Sequence, residues 1–353
     1  MEPLRFALIG CSKIAHKHAA AIRQRSDATL VAVCDLQTSR AKALGSEFGV
    51  PWFANYEEML LKTETDVVSI STPSGDHCRR VLDLVRFGKH IVVEKPLALR
   101  IEDADRMIEA CDRNALKLFE VKQNRFNVPI HKLREAIDGD RFGKMVLGSV
   151  RVRWCRTQKY YDEANWRGTW AHDGGVLTNQ AIHHIDMLKW MMGDVESVQA
   201  MTARRLARIE AEDTGVAILR FTSGAMGVIE ATTATRPRDL EGSLSILGEH
   251  GSVEIGGFSM DKLRVWEFDP STPEDEAIHR DHASNPDTYA FSHSEFIGDV
   301  VRSIRENRRG VVDGIEARAT LELINAIYES HETGRVVKLR FMPKLCRLGV
   351  SVS

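Results

Sequence analysis

The chain lacks any paired-cysteine motif. Its six cysteines, Cys11, Cys34, Cys78, Cys111, Cys155 and Cys346, are scattered with no C-x-x-C spacing, so neither a disulfide framework nor a zinc–thiolate site is expected. It also lacks a long apolar run; none approaches the roughly 20 residues that a membrane helix requires. Charge of one sign is missing too. The 48 Lys and Arg against 50 Asp and Glu leave a formal net charge of -2, which excludes a global field for nucleic acid or an anionic membrane. The opening residues, MEPLRFALIG, carry no basic stretch ahead of an apolar core, so a signal peptide is not expected and a reducing cytoplasm is. What remains is ordinary for a globular enzyme: 353 residues, 43% hydrophobic and 28% charged, a length that favours two domains.

The first third alternates. Apolar strand candidates LRFALIG, TLVAVCD, DVVSIST, HIVVEKP and LKLFEVKQ are separated by amphipathic helical stretches. Near-continuous Val/Ile runs between helices predict a parallel sheet covered on both faces, a doubly wound α/β domain over residues 1–123. The rhythm then changes. Longer strands with polar–apolar alternation and glycine-bearing turns predict a C-terminal α+β domain over 124–340, built on a large, mostly antiparallel open sheet. Two helices near 289–307 and 314–333 follow, and residues 341–353 read as a tail.

The first turn, ALIGCSKIAHKHA, places Gly10, Ser12 and Ala15 where a dinucleotide fingerprint has G-x-G-x-x-G/A. The middle glycine is a serine, small enough for a phosphate to approach and able to donate to it. Asp35 ends the next strand, where a carboxylate accepts from both ribose hydroxyls and repels a 2′-phosphate; this favours NAD over NADP, although Arg40 lies close by. STPSGDH (71–77) and VVEKPLA (92–98) sit at carboxyl ends of parallel strands, where such sheets bind ligands.

On GCSKIA, TPSGDH, VVEKPLA and GGVLTNQAIHHID, the chain resembles the Gfo/Idh/MocA family of nicotinamide-dependent sugar and cyclitol oxidoreductases, from Leu4 to about Leu339. The resemblance implies that Lys95 of EKP lies at the reacting carbon and that a cis peptide precedes Pro96. It implies a cofactor set of Gly10, Ser12, Lys13, Ile14, Asp35, Thr72, Pro73, His77, Glu94, Lys95, Gln123, Trp166 and Arg167. A narrower resemblance rests on FEVKQNRFN, RTQKYYDEANWRGTWAHDGG and TNQAIHHIDML. These are similar to the bacterial UDP-N-acetyl-2-amino-2-deoxy-D-glucuronate dehydrogenases, which oxidise the sugar 3-hydroxyl on the route to diamino uronic acids of surface polysaccharide. Some of those enzymes recycle NADH with 2-oxoglutarate, which makes it a candidate co-substrate here.

The residue chemistry agrees with a UDP-uronate. Arg125 and Arg167 offer planar forks for carboxylate or phosphate. Gln123, Asn124 and Asn179 both donate and accept. Tyr160, Tyr161 and Trp166 offer flat faces with polar edges, or else belong to the core or a subunit interface. Oxidation of a secondary alcohol sends a hydride to the nicotinamide and a proton to a base. His183 suits the base and Lys95 the alkoxide-stabilising cation, with the two roles exchangeable. Many relatives carry Asp four residues before that His; Asn179 stands there instead, so a relay through 179 is not expected and Asn179 binds substrate. His184 points about 100° away and reads as structural. The ligand spacing does not fit a metal. Asp186 either orients His183 or serves a contact within the domain. The substrate-binding set is therefore Lys95, Gln123, Asn124, Arg125, Tyr160, Arg167, Asn179 and His183. The alternatives are a dehydrogenase of a free sugar or inositol, and a silent NAD and sugar-nucleotide sensor. The open sheet predicts a homo-oligomer, a dimer or tetramer.

Overall fold

The computed structural model describes residues 2–281, 288–339 and 348–349. Two compact units form: Met1–Gln123 with Ala290–Ala319, and Asn124–Tyr289 with Thr320–Ser353. The tail expected at 341–353 lies outside the described residues except for 348 and 349.

The first unit holds β1 (Leu4–Ile9), β2 (Ala28–Cys34), β3 (Trp52–Phe53), β4 (Val67–Ile70), β5 (His90–Val93) and β6 (Leu118–Glu120). They lie in the order β3-β2-β1-β4-β5-β6, all parallel. The Val/Ile run of β4 is buried at all four positions, as a strand covered on both faces must be. The order reverses between β1 and β4, which puts the ligand-binding crevice at their carboxyl ends. Only β3 escapes the strand pattern of the sequence; two residues are too few to show a period. The return segment adds an edge contact: Glu120 N–H donates to Val312 O at 3.2 Å beside β6.

The second unit holds β7 (Met145–Arg153), β8 (Val195–Ala203), β9 (Thr214–Phe221), β10 (Met226–Thr232), β11 (Glu241–Gly248), β12 (Gly251–Gly256), β13 (Lys262–Phe268) and β14 (Val337–Lys338). Their order is β13-β12-β11-β7-β10-β9-β8-β14. Only β7 and β10 run parallel among these neighbours, so the sheet is mixed and mostly antiparallel. Period-2 burial is clean in β9, which buries Gly215, Ala217, Leu219 and Phe221 and turns Val216, Ile218 and Arg220 outward. The helix Ile182–Met192 packs on the buried face. A Cβ on Gly148 of β7 would lie 2.7 Å from Leu188 Cδ1 and Met192 Cγ, so glycine sets that close approach. On the outward face Met201 opposes Val216 and Ile218 opposes Val228. With Met201 72% exposed and Ile218 59%, this is a contiguous apolar row. Among the described residues no helix is long and apolar enough to cross a membrane.

Candidate active site

The first unit builds a dinucleotide cradle. Gly10 has φ +91°, and a Cβ there would lie 2.7 Å from the Ser71 carbonyl, so only glycine permits the turn. Ser12 stands at the N-cap of the helix Lys13–Arg23 but makes no cap hydrogen bond with its side chain, which leaves the hydroxyl to a phosphate. Asp35 Oδ2 accepts from Cys11 N at 2.7 Å and Oδ1 from Gln37 N at 2.7 Å. Each oxygen keeps a second acceptor site for a ribose hydroxyl. The hydroxyls of Ser71 and Thr72 are buried with no hydrogen-bond partner among the described residues, at the strand end that faces Gly10. A bare backbone, a helix N-terminus, an acid at the β2 end and two unsatisfied hydroxyls fit a dinucleotide.

Lys95 is the one residue of 91–99 that is not buried, and its backbone is held from three sides. Its N–H donates to Glu94 Oε2 at 3.1 Å. Pro96 O lies 2.9 Å from His77 Nδ1, and Leu97 N donates to Glu120 Oε1 at 2.9 Å. The Lys95–Pro96 peptide is cis. Behind it, Glu94 Oε1 lies 2.7 Å from His18 Nε2, and His18 Nδ1 lies 2.8 Å from Ser69 Oγ. Burial alone would raise the Glu94 pKa, but the His18 hydrogen bond and charge outweigh it and hold the carboxyl at about 2. The carboxylate therefore stays ionised as an acceptor.

Two residues of the expected cofactor set also hold backbone. His77 is fully buried, and its other nitrogen lies 3.0 Å from Thr72 O. Both ring nitrogens face backbone carbonyls, and burial lowers its pKa, so the neutral ring donates to one of the two strand-end turns. Glu94 likewise holds the Lys95 peptide and His18, and each of its oxygens keeps a second acceptor site.

In the second unit the stretch 174–188 does not form one helix. A π-turn spans Val176–Gln180, with Ala181 N bonded to Val176 O at 2.8 Å, and the α-helix runs from Ile182 to Met192. Such turns recur at functional sites. From 173 to 188 every residue is buried except Asn179 and His183, so the stretch opens only at these two positions. His184 is fully buried edge-on to Trp154 with ring centroids 5.6 Å apart, and burial pushes its pKa down to about 4; it is a neutral core residue.

Arg125 is corrected as a substrate fork. Its Nε donates to Asp186 Oδ2 at 2.8 Å and Nη2 to Oδ1 at 2.9 Å, and both side chains are buried. Its guanidinium lies 4.7 Å from the Trp190 ring centroid. The bidentate face is already taken, and Thr320 Oγ1 adds a 2.7 Å bond to Asp186. Asp186 thus serves a contact inside this unit.

Gln123 and Asn124 are buried in a short 3-10 turn, Gln123–Phe126, and Asn124 Oδ1 has no partner among the described residues. Arg167 lies 4.1 Å from the Tyr160 ring centroid and 5.7 Å from that of Trp166, and donates from Nη1 to Tyr160 O at 2.6 Å. It lines a cleft of about 610 Å³ together with Arg204, Arg208, Tyr161 and Glu210. Tyr161 is core, bonded to Thr233 Oγ1 at 2.9 Å.

Sequence reasoning missed three buried carboxylates. Glu120 holds the Leu97 peptide, Asp173 holds Asn179, and Glu212 caps the π-turn. The DGG of 173–175 marks a turn, but no local signal shows what its acid meets. Glu212 Oε1 accepts from Leu177 N at 2.9 Å and from Tyr328 O–H at 2.9 Å. Burial raises its pKa to about 7, against the lowering effect of those hydrogen bonds. A carboxyl whose folded pKa is raised stabilises fully below its unfolded value, and the contribution fades as pH rises through 7. Glu212→Gln keeps the acceptor and removes the titration. We expect it to melt higher than wild type at pH 8 and to lose that advantage by pH 5; a constant offset in calorimetry would contradict the assignment.

Known proteins share this architecture. Residues 4–121 match the model "Oxidoreductase family, NAD-binding Rossmann fold", and residues 134–339 match "Oxidoreductase family, C-terminal alpha/beta domain". The chain is similar to the solved WlbA dehydrogenase of Bordetella pertussis in complex with NADH and UDP-GlcNAcA, at 40% identity and TM-score 0.89, covering 96% of this chain and 99% of that one. A WlbA dehydrogenase of Chromobacterium violaceum, solved with the same two ligands, is 40% identical with TM-score 0.89, covering 96% and 97%. Among curated proteins, the myo-inositol 2-dehydrogenase of Thermotoga maritima is 26% identical, covering 95% of this chain and 98% of that protein.

Proposed function

The chain belongs to the Gfo/Idh/MocA oxidoreductase family as an NAD-dependent dehydrogenase of sugar or polyol hydroxyls, and from that premise we propose that it oxidises the 3-hydroxyl of UDP-N-acetyl-2-amino-2-deoxy-D-glucuronate to the 3-keto sugar, for diamino uronic acids of surface polysaccharide. The observation that carries the reading is 40% identity over almost the whole chain to an enzyme solved with NADH and UDP-GlcNAcA. The residues at the open positions support it. A polar, amide-bearing site suits a sugar carrying an N-acetyl group and hydroxyls.

NAD, when bound, supplies the hydride acceptor. His183 takes the hydroxyl proton and Lys95 stabilises the developing alkoxide, with the exchanged assignment as its alternative. Gln123, Asn124, Tyr160, Arg167 and Asn179 bind the sugar nucleotide, and 2-oxoglutarate serves as the NADH-recycling co-substrate. The apolar row on the outward sheet face is the surface that a second copy of the chain covers.

Purified protein with NAD and UDP-GlcNAcA is expected to give NADH absorbance, or keto-sugar by mass spectrometry once 2-oxoglutarate is added. The inositol dehydrogenase relative motivates a second reading, a cyclitol substrate. Turnover of myo-inositol with none of the UDP-sugar would replace the first reading with the second.

A further inference from the structure

Asn179 sits where a carboxylate was the alternative, yet a carboxylate is present one contact away. Asn179 Nδ2 donates to Asp173 Oδ1, and Asp173 is 2% exposed. The other oxygen, Asp173 Oδ2, accepts from Gly168 N at 2.7 Å. Gly168 has φ +70°, and a Cβ there would lie 2.7 Å from Ile209 Cβ, so this turn is fixed and cannot drift from the acid. Gly174, at φ +79°, turns the chain directly after Asp173, and a Cβ there would meet Thr178 at 2.8 Å. Two tight glycine turns thus hold one acid between the Tyr160–Arg167 segment and the π-turn.

Two consequences follow from the donor and acceptor inventory. An ionised carboxylate only accepts, so the Asn179 amide must turn its NH₂ towards Asp173. Its carbonyl oxygen is then directed away from Asp173. Gly168 N and Asn179 Nδ2 are both donors, so an amide at 173 satisfies both neighbours only if the Asn179 amide turns over and presents its oxygen to 173.

We propose that Asp173 is a positioning residue that fixes Asn179 as a one-way acceptor for a substrate hydroxyl, and that this pairing is what requires an amide at 179. The inference rests on the reading of the Asn179–His183 face as the substrate face. It states which hydroxyl geometry that face accepts: a hydroxyl that donates to position 179. It also means that aspartate at 179 does not restore a carboxylate–histidine pair in this chain. It sets two carboxylates against each other, which then hold one proton in common.

A reciprocal swap tests this. Asp173→Asn lets the Asn179 amide turn over, so that its oxygen meets the amide at 173 and its NH₂ takes the substrate side, and Asn179→Asp leaves two acids facing each other. Each is expected to raise KM for the sugar about 10- to 100-fold, with KM for NAD unchanged. The double variant D173N/N179D rebuilds the pair in reverse: the amide now at position 173 donates to the acid now at position 179 and accepts from Gly168 N. It is expected to recover most of the loss. It also places a charge one turn from His183, so the acid limb of its kcat/KM profile moves to higher pH. An acid that merely tied down the Gly168 turn would shift the melting point and leave KM for the sugar near wild type in all three variants, and that result would overturn the proposal.

A second measurement needs no turnover. The melting gap between wild type and N179D is expected to widen from pH 4 to pH 8, because the folded pair retains a proton that the unfolded chain releases. The double variant should track wild type. Glu212, Tyr160 and Tyr161 titrate in the field of Asp173; the tyrosines lie above this pH window, and Glu212→Gln in every variant removes the one group that lies within it. A gap independent of pH overturns the proposal, whatever the substrate is. Absence of UDP-GlcNAcA turnover in wild type with a widening gap would overturn the substrate assignment alone.

Discussion

Lys95→Ala is expected to lower kcat by about 10²- to 10⁴-fold while NAD binds as in wild type. The side chain is the one open residue in a buried stretch, and the backbone carrying it is clamped by Glu94, His77 and Glu120. Such clamping places a charge without a reorganisation cost at the moment it is needed. The cofactor cradle proposed at Gly10, Ser12, Asp35 and the β4 end does not depend on the Lys95 side chain. A fluorescence titration with NADH and a single-turnover assay separate binding from chemistry. His183→Ala should match it in size, since removing a base costs a similar factor. Wild-type kcat in either variant would end its proposed role. The pH profiles then divide the roles: the variant that lacks the base loses the limb that reports proton removal.

Arg125→Ala is expected to cost about 3–5 kcal/mol of stability, because it leaves the Asp186 charge buried without its bidentate partner. Both side chains are at most 1% exposed, so water cannot take over. A double change, Arg125→Met with Asp186→Leu, should cost much less, since an apolar pair of similar volume avoids the desolvation of both charges. Chemical denaturation distinguishes this from the substrate-fork role that the sequence invites. A fork would raise KM and leave the midpoint unmoved.

The contrast between Arg125 and Lys95 shows what the sequence can carry. Strand order, the glycine turn at Gly10 and the acid at Asp35 follow from periodicity and local backbone need, so both layers of the fold are readable from the letters. Asn179 and His183 are readable as polar positions in an apolar stretch, although the π-turn that carries Asn179 is not; no propensity marks an i−5 bond. Arg125 is misread because a guanidinium looks the same beside a phosphate and beside Asp186, 61 residues away. Asp173, Glu120 and Glu212 escape notice for the same reason. Each is defined by a distant partner, and a buried acid has no local signature. His77 and Glu94 are readable from their motifs, but the backbone that their side chains also hold is not.

The return of Ala290–Ala319 to the first unit bears on how the protein is made. β6 is the last strand of its sheet, and its outer neighbour arrives nearly two hundred residues later as Val312. Gly310 packs so near Phe119 that a Cβ would come within 2.7 Å of that ring, and Arg318 pairs with Asp105 at 2.5 Å. On the ribosome, then, the nucleotide-binding half emerges first yet must wait with an unsealed edge while strands β7 to β13 of the second sheet are synthesised. The module that comes out first is among the last to be completed, and a gene fragment ending at residue 123 would encode it without its closing piece.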